Sequence, residues 1–134
     1  MIKQRKLAVI SDFHLDVNHF SADELQILKN LLTELSVTDL HFAGDISNDF
    51  NGLTKPFLAD LEQLTGLSVT YNLGNHDMVG LSEAEIDASD FQVKWFGNTT
   101  FVSFHGWYDY SFMKKEKDEK KIITFKNSFT QGAS

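Results

Sequence analysis

The sequence predicts an α/β fold, and three observations carry that expectation. Short β-prone apolar runs occur three times, and segments with apolar residues at helical spacing separate them. Helix-start and helix-stop residues fall at the ends of those segments, and each apolar run gives way to a polar loop. The resulting β-α-β-α-β order predicts parallel strands joined by right-handed crossovers.

Residues 7–11, Leu-Ala-Val-Ile-Ser, form the first run, continuous as in strands buried on both faces. Ser21 and Glu24 have the spacing of a capping box, and Leu25, Leu28, Leu32 and Leu35 follow on one helical face, so a helix is expected over about residues 22–35. Residues 39–43, Asp-Leu-His-Phe-Ala, make the second strand, with His41 expected as a buried structural histidine. Pro56 suits a first helical turn ahead of Phe57, Leu61 and Leu64, and Gly66 ends that helix. Residues 68–73 alternate and carry β-branched and aromatic side chains, which gives the third strand.

Beyond residue 77 the pattern changes. Ser82 and Glu85 mark another capped turn, and residues 91–96 and 100–104 flank Gly97-Asn98 as a hairpin. Residues 113–121 hold five lysines and three acids with almost nothing apolar, the composition of a solvated loop, and residues 131–134 read as a frayed tail. The aromatic stretch over residues 106–112 is expected to pack rather than to stack a base.

The 134 residues, 42% hydrophobic and 23% charged, suit one globular domain. Cysteine is absent, which excludes a disulfide framework, a thiolate metal site and a cysteine nucleophile. A net charge of −7 disfavours attraction to nucleic acid or anionic lipid. No apolar run is long enough to cross a membrane as a helix and no secretory signal stands at the N-terminus, so a cytoplasmic location is expected. Neither a Gly-x-Ser-x-Gly elbow nor a glycine-rich phosphate loop with lysine occurs, which disfavours serine hydrolases and P-loop enzymes.

Chemistry is concentrated where ligands bind in open α/β sheets, beyond the carboxyl ends of the strands. The first strand ends in Asp12-Phe13-His14, the second in Gly44-Asp45, and the third in Gly74-Asn75-His76-Asp77. In extended chain, residues two apart point to one side, so Asp12 and His14 are expected to face a common ion while Phe13 turns to the core. Gly44 and Gly74 sit at sharp exits, where a missing Cβ allows close backbone approach.

Asp-x-His, Gly-Asp and Gly-Asn-His-Asp, in that order and each at a strand end, resemble the calcineurin-like metallophosphoesterase family over residues 7–77. The resemblance implies the N-terminal β-α-β-α-β layer of a two-sheet α/β sandwich. It also implies a centre of two divalent ions (Mn, Fe or Zn), with Asp12 and His14 on one ion, Asp45 bridging both and Asn75 on the second. The ions would activate a hydroxide to attack a phosphomonoester or phosphodiester of small-molecule size. His76 would stabilise charge at phosphorus or protonate the leaving oxygen, and Asp77 would orient the His76 imidazole and favour its charged form. Dications would also offset the acidic charge that otherwise repels a phosphate ester.

The family completes its metal shell with late histidines, including a Gly-His-x-His motif that this sequence lacks. Its single later histidine is His105, expected in a structural role rather than as a ligand. The chain is therefore expected to be one incomplete domain over 1–134, with the motifs in 1–77 and the start of a second sheet in 78–134. Unpaired edges and phenylalanines such as Phe101, Phe104, Phe125 and Phe129 then predict self-association. The rival expectation is a non-catalytic module that keeps the fold as a binding surface. His19 is expected in solvent, and Asp16, Asn48 and Asp49 either in turn chemistry or as supports for the ligands.

Overall fold

The computed structural model describes residues 4–105. The expectations for residues 106–112, 113–121 and 131–134, and for Phe125 and Phe129, lie outside the described residues. The chain runs β1 (Leu7–Ile10), α1 (Ala22–Glu34), β2 (Asp39–Ala43), a π-helical turn (Phe50–Thr54), α2 (Lys55–Thr65), β3 (Ser68–Asn72), α3 (Glu83–Ser89), β4 (Gln92–Phe96) and β5 (Thr99–Ser103). Strands β1, β2 and β3 form a parallel sheet in that order, with Leu7 opposite Asp39 and Asp39 opposite Ser68. Strands β4 and β5 form an antiparallel pair around Gly97-Asn98, as the turn residues predict.

A sheet that grows in one direction through right-handed connections carries both connecting helices on one face. Both do supply the same core: Leu28 and Leu32 of α1 and Phe57, Leu58 and Leu61 of α2 pack with Leu40 and Phe42 of β2. The capping box at Ser21 and Glu24 is formed, and Gly66 ends α2 in the left-handed conformation. Two expected core positions are corrected. Leu35 is the C-cap of α1 and is half exposed, because the chain is already leaving the helix, and Leu64 lies on the rim while Leu58 takes the buried place. The π-helical turn before α2 left no periodic signal; the Asp49 carboxylate organises it by accepting the Gly52 N–H at 2.9 Å.

The hairpin covers the second face of the sheet over β2 and β3. Phe101 meets the His41 ring edge-on at 4.8 Å, Lys94 Nζ donates to Ser68 Oγ at 2.7 Å, and Gln92 Nε2 donates to the Tyr71 carbonyl at 2.7 Å. The Arg5 guanidinium grips buried Asp39 from Nη2 at 2.8 Å and also reaches the Trp95 carbonyl. Strand β2 is thus enclosed on both sides. Strand β1 is not, contrary to its continuous apolar pattern: among the described residues it is an edge strand, and Val9 stays 54% exposed beside the hairpin's reach. Phe101 has partners in His41 and Phe96, against the expectation that it would lack them, whereas Phe104 is exposed and, among the described residues, stacks on Phe91. Phe91 itself has φ of +54°, which delays the strand to Gln92.

His41 is buried, with Nδ1 2.9 Å from Thr70 Oγ1 and Nε2 2.7 Å from Asn72 Oδ1. Burial lowers its pKa, aided by the nearby Lys94 charge and opposed by the Asn72 hydrogen bond. The folded state therefore keeps this imidazole neutral, while an unfolded histidine takes up a proton near about pH 6.5, so stability must fall as pH drops below that value. Urea midpoints measured between about pH 7 and about pH 5 are expected to decline, with part of that decline removed in His41→Gln. Phe42→Ala, which deletes a fully buried ring touching Phe13 and Phe57, is expected to lower the unfolding free energy by about 3–5 kcal/mol in the same assay.

Candidate metal centre

Parallel pairing continues past the ends of β1 and β2 as a zipper between their loops. Asp12 N–H donates to the Gly44 carbonyl at 3.1 Å, His14 N–H to the Asp45 carbonyl at 3.1 Å, and Leu15 N–H to the Ile46 carbonyl at 2.8 Å. These bonds bring Asp12, His14 and Asp45 together, with one potential ligand atom from each lying within 4.8 Å of the others. The reason differs from the expected one. Asp12 (φ +54°), His14 (φ +46°) and Asp45 (φ +56°) are left-handed, not extended, so it is loop curvature rather than strand alternation that aims the first two side chains together. Such backbone is uncommon for residues other than glycine, and aspartate and histidine are among those that tolerate it best. Strained conformations of this kind gather at functional sites.

The loop after β3 locks onto the same place. A Cβ on Gly44 would stand 2.9 Å from Gly74 N, and one on Gly74 would stand 2.7 Å from Asp45 N, so the two glycines let the loops touch. His76 N–H donates to Asp45 Oδ1 at 3.2 Å, and the His76 ring stands edge-on to His14 with centroids 5.2 Å apart. Asn75 lies in this turn between Gly74 and His76, both of which contact Asp45. Asp12 is exposed and takes a hydrogen bond from Ser11 Oγ at 2.8 Å, while His14, Asp45, Asn75 and His76 are half-buried.

Asp77 is corrected. Its carboxylate does not meet the His76 imidazole; it is fully buried and accepts four backbone N–H groups, from Asp45 (2.6 Å) and Gly74 (2.8 Å) at Oδ2 and from Ile46 (2.8 Å) and Ser47 (3.1 Å) at Oδ1. Burial pushes its pKa above the ordinary value, against the pull of those four donors toward the ionised form. The imidazole partner is instead Asn48, whose Oδ1 is 2.7 Å from His76 Nδ1. Asn48 in turn donates its backbone N–H to Asp16 Oδ2 at 3.2 Å. Burial raises the Asp16 pKa, but hydrogen bonds from Asn48 and from the local backbone outweigh it and hold the carboxyl below its usual value. A signal for both residues was present in the sequence: each lies two or three positions beyond a candidate ligand, in the same loop.

The remaining candidates fall outside the cluster. Asp49 serves its own turn, and His19 is exposed. His105 closes the end of α3, with Nε2 3.2 Å from Ser89 Oγ and 3.3 Å from the Ile86 carbonyl. No protein-family model matches the chain, and a search of curated proteins finds no match.

Replacing Asp77 with Asn would aim an N–H₂ group at backbone donors that need an acceptor. Asp77→Asn is therefore expected to cost about 2–4 kcal/mol of unfolding free energy, measured by urea denaturation without any metal. Unchanged stability with a purely catalytic defect would return Asp77 to the role of orienting His76.

Proposed function

We propose that this chain holds divalent metal and hydrolyses a phosphate ester, in the manner of the calcineurin-like metallophosphoesterases that its motifs resemble. One observation carries this above all: Asp12, His14 and Asp45, drawn from two loops, offer ligand atoms within 4.8 Å of one another at the carboxyl end of a parallel sheet. Two carboxylates and an imidazole make an oxygen and nitrogen donor set that suits manganese, iron or zinc. In this scheme Asp45 serves two ions and Asn75 holds the second. Such ions, when bound, supply positive charge for a phosphoryl group and acidify a water.

The chain's own groups do the rest. Asp45 is held by the His76 N–H, so its carboxylate keeps its aim. His76, with Nδ1 engaged by Asn48, has Nε2 left over, and only the charged, doubly protonated ring donates a proton from Nε2 to the departing oxygen of the ester. The acidic surface, −7 overall, leaves the phosphate anion little attraction until cations are present, so ester binding and metal binding are coupled. The substrate is a phosphomonoester or phosphodiester of small-molecule size, since the acidic net charge disfavours tracking a nucleic acid and no basic stripe is present among the described residues.

A second function, a non-catalytic module, is favoured by one observation: among the described residues the cluster comprises three such ligands, and His105 is engaged with α3 instead. Calorimetric titration of manganese into metal-free protein separates the two. The enzyme predicts two equivalents bound by the wild type, lost in Asp45→Asn, and manganese-dependent release of nitrophenol from p-nitrophenyl phosphate or its bis ester. One weak equivalent or none, with no hydrolysis, would leave the module.

A further inference from the structure

We propose that Asp16 is a positioning residue for His76, acting through the side-chain amide of Asn48 in a carboxylate, amide and imidazole relay. What His76 does in catalysis rests on the phosphoesterase function above; how it is held rests on hydrogen bonding alone.

Asn48 Oδ1 lies 2.7 Å from His76 Nδ1. An amide oxygen only accepts, so Nδ1 carries the proton and Nε2 is the lone-pair nitrogen of the neutral ring. An asparagine amide has a second choice, however. Turned by half a circle it presents N–H₂ to the ring and selects the opposite tautomer, with Nδ1 as acceptor. Something must fix which way Asn48 faces, and Asp16 is the group in place to do so.

Asp16 follows the ligand His14 by two residues and accepts the Asn48 backbone N–H at Oδ2. Its other oxygen, Oδ1, is buried and has no hydrogen-bond partner of normal geometry, and the Asn48 side-chain amide is a donor that approaches this carboxyl. A buried carboxylate oxygen without a donor is costly, and an ionised carboxylate can only accept. The Asn48 N–H₂ group is therefore drawn to Asp16, which turns Oδ1 to His76. The negative charge on Asp16 thus sets the tautomer of His76 through a neutral amide.

The relay is tested on the full chain with Asp16→Ala, Asn48→Ala and the double variant. Imidazole nitrogen–proton correlations in metal-free, histidine-labelled protein, recorded across a pH series and compared at its alkaline plateau, read the tautomer of His76, with His76→Gln identifying its signals. Wild type is expected to show the Nδ1–H form, and Asp16→Ala a mixture. With manganese and p-nitrophenyl phosphate, Asp16→Ala is expected to lower kcat about tenfold with KM within about twofold, and the double variant to be no worse than Asn48→Ala alone. An unchanged tautomer in Asp16→Ala, or additive losses in kcat, overturns the relay. If Asp16→Ala does not fold, Asp16→Asn, similar in size but able to donate, carries the same measurements. Should wild type bind no manganese and hydrolyse nothing, the phosphoesterase function fails while the tautomer still decides the relay.

Discussion

The interaction on which the site depends is the buried carboxylate of Asp77 and its four backbone donors. Those donors come from Gly74, within its own loop, and from Asp45, Ile46 and Ser47 in the loop after β2. Consecutive N–H groups converging on one acceptor fold the chain around it, so Asp77 acts as the anion in an anion-binding turn built by the protein for itself. Without it, four backbone N–H groups would lose their acceptor, and those of Ile46 and Ser47 are buried. The left-handed backbone at Asp45 and the contact of Gly44 with Gly74 both lie inside this arrangement.

From that anchor the rest of the centre is secured outward. The zipper of Asp12, His14 and Leu15 to the second loop holds the first loop down, and the His76 N–H holds the Asp45 carboxylate. Three left-handed residues, Asp12, His14 and Asp45, each cost roughly 1–3 kcal/mol in an unsupported chain. Here each lies within a bonded loop: Asp12, His14 and Asp45 all donate their own N–H groups to partners named above. The strain is therefore held by tertiary contacts rather than relieved.

The two faces of the parallel sheet divide the work of stability. One carries both helices over an apolar core with Leu40 and Phe42; the other carries a hairpin over His41, Thr70 and Asn72. A polar network can be buried there because each His41 nitrogen has a partner, and Arg5 and Lys94 meet the Asp39 carboxylate at the rim. The burial of His41 on this second face is the source of the expected loss of stability in acid, separate from the candidate metal site. Phe91, Val93, Trp95, Val102 and Phe104 remain exposed on the hairpin's other side.

Much of this molecule was legible from local signals. The strands, both capping boxes, Pro56 and Gly66 around α2, and the Gly97-Asn98 turn are set by residues within about four positions of one another, where periodicity and capping chemistry operate. The three polar strand ends were legible for the same reason, and Asp12, His14 and Asp45 do converge. What only the tertiary structure decided spans longer separations. Asp77 bonds residues about thirty positions earlier, His76 finds Asn48 at a sequence separation of 28, and the hairpin covers β2 and β3 but leaves Val9 of β1 open. Hydrogen bonds across such separations have no period and no spacing in the chain; a carboxylate beside a histidine in sequence turns to whichever donors the folded loops present most closely, and those belonged to the backbone.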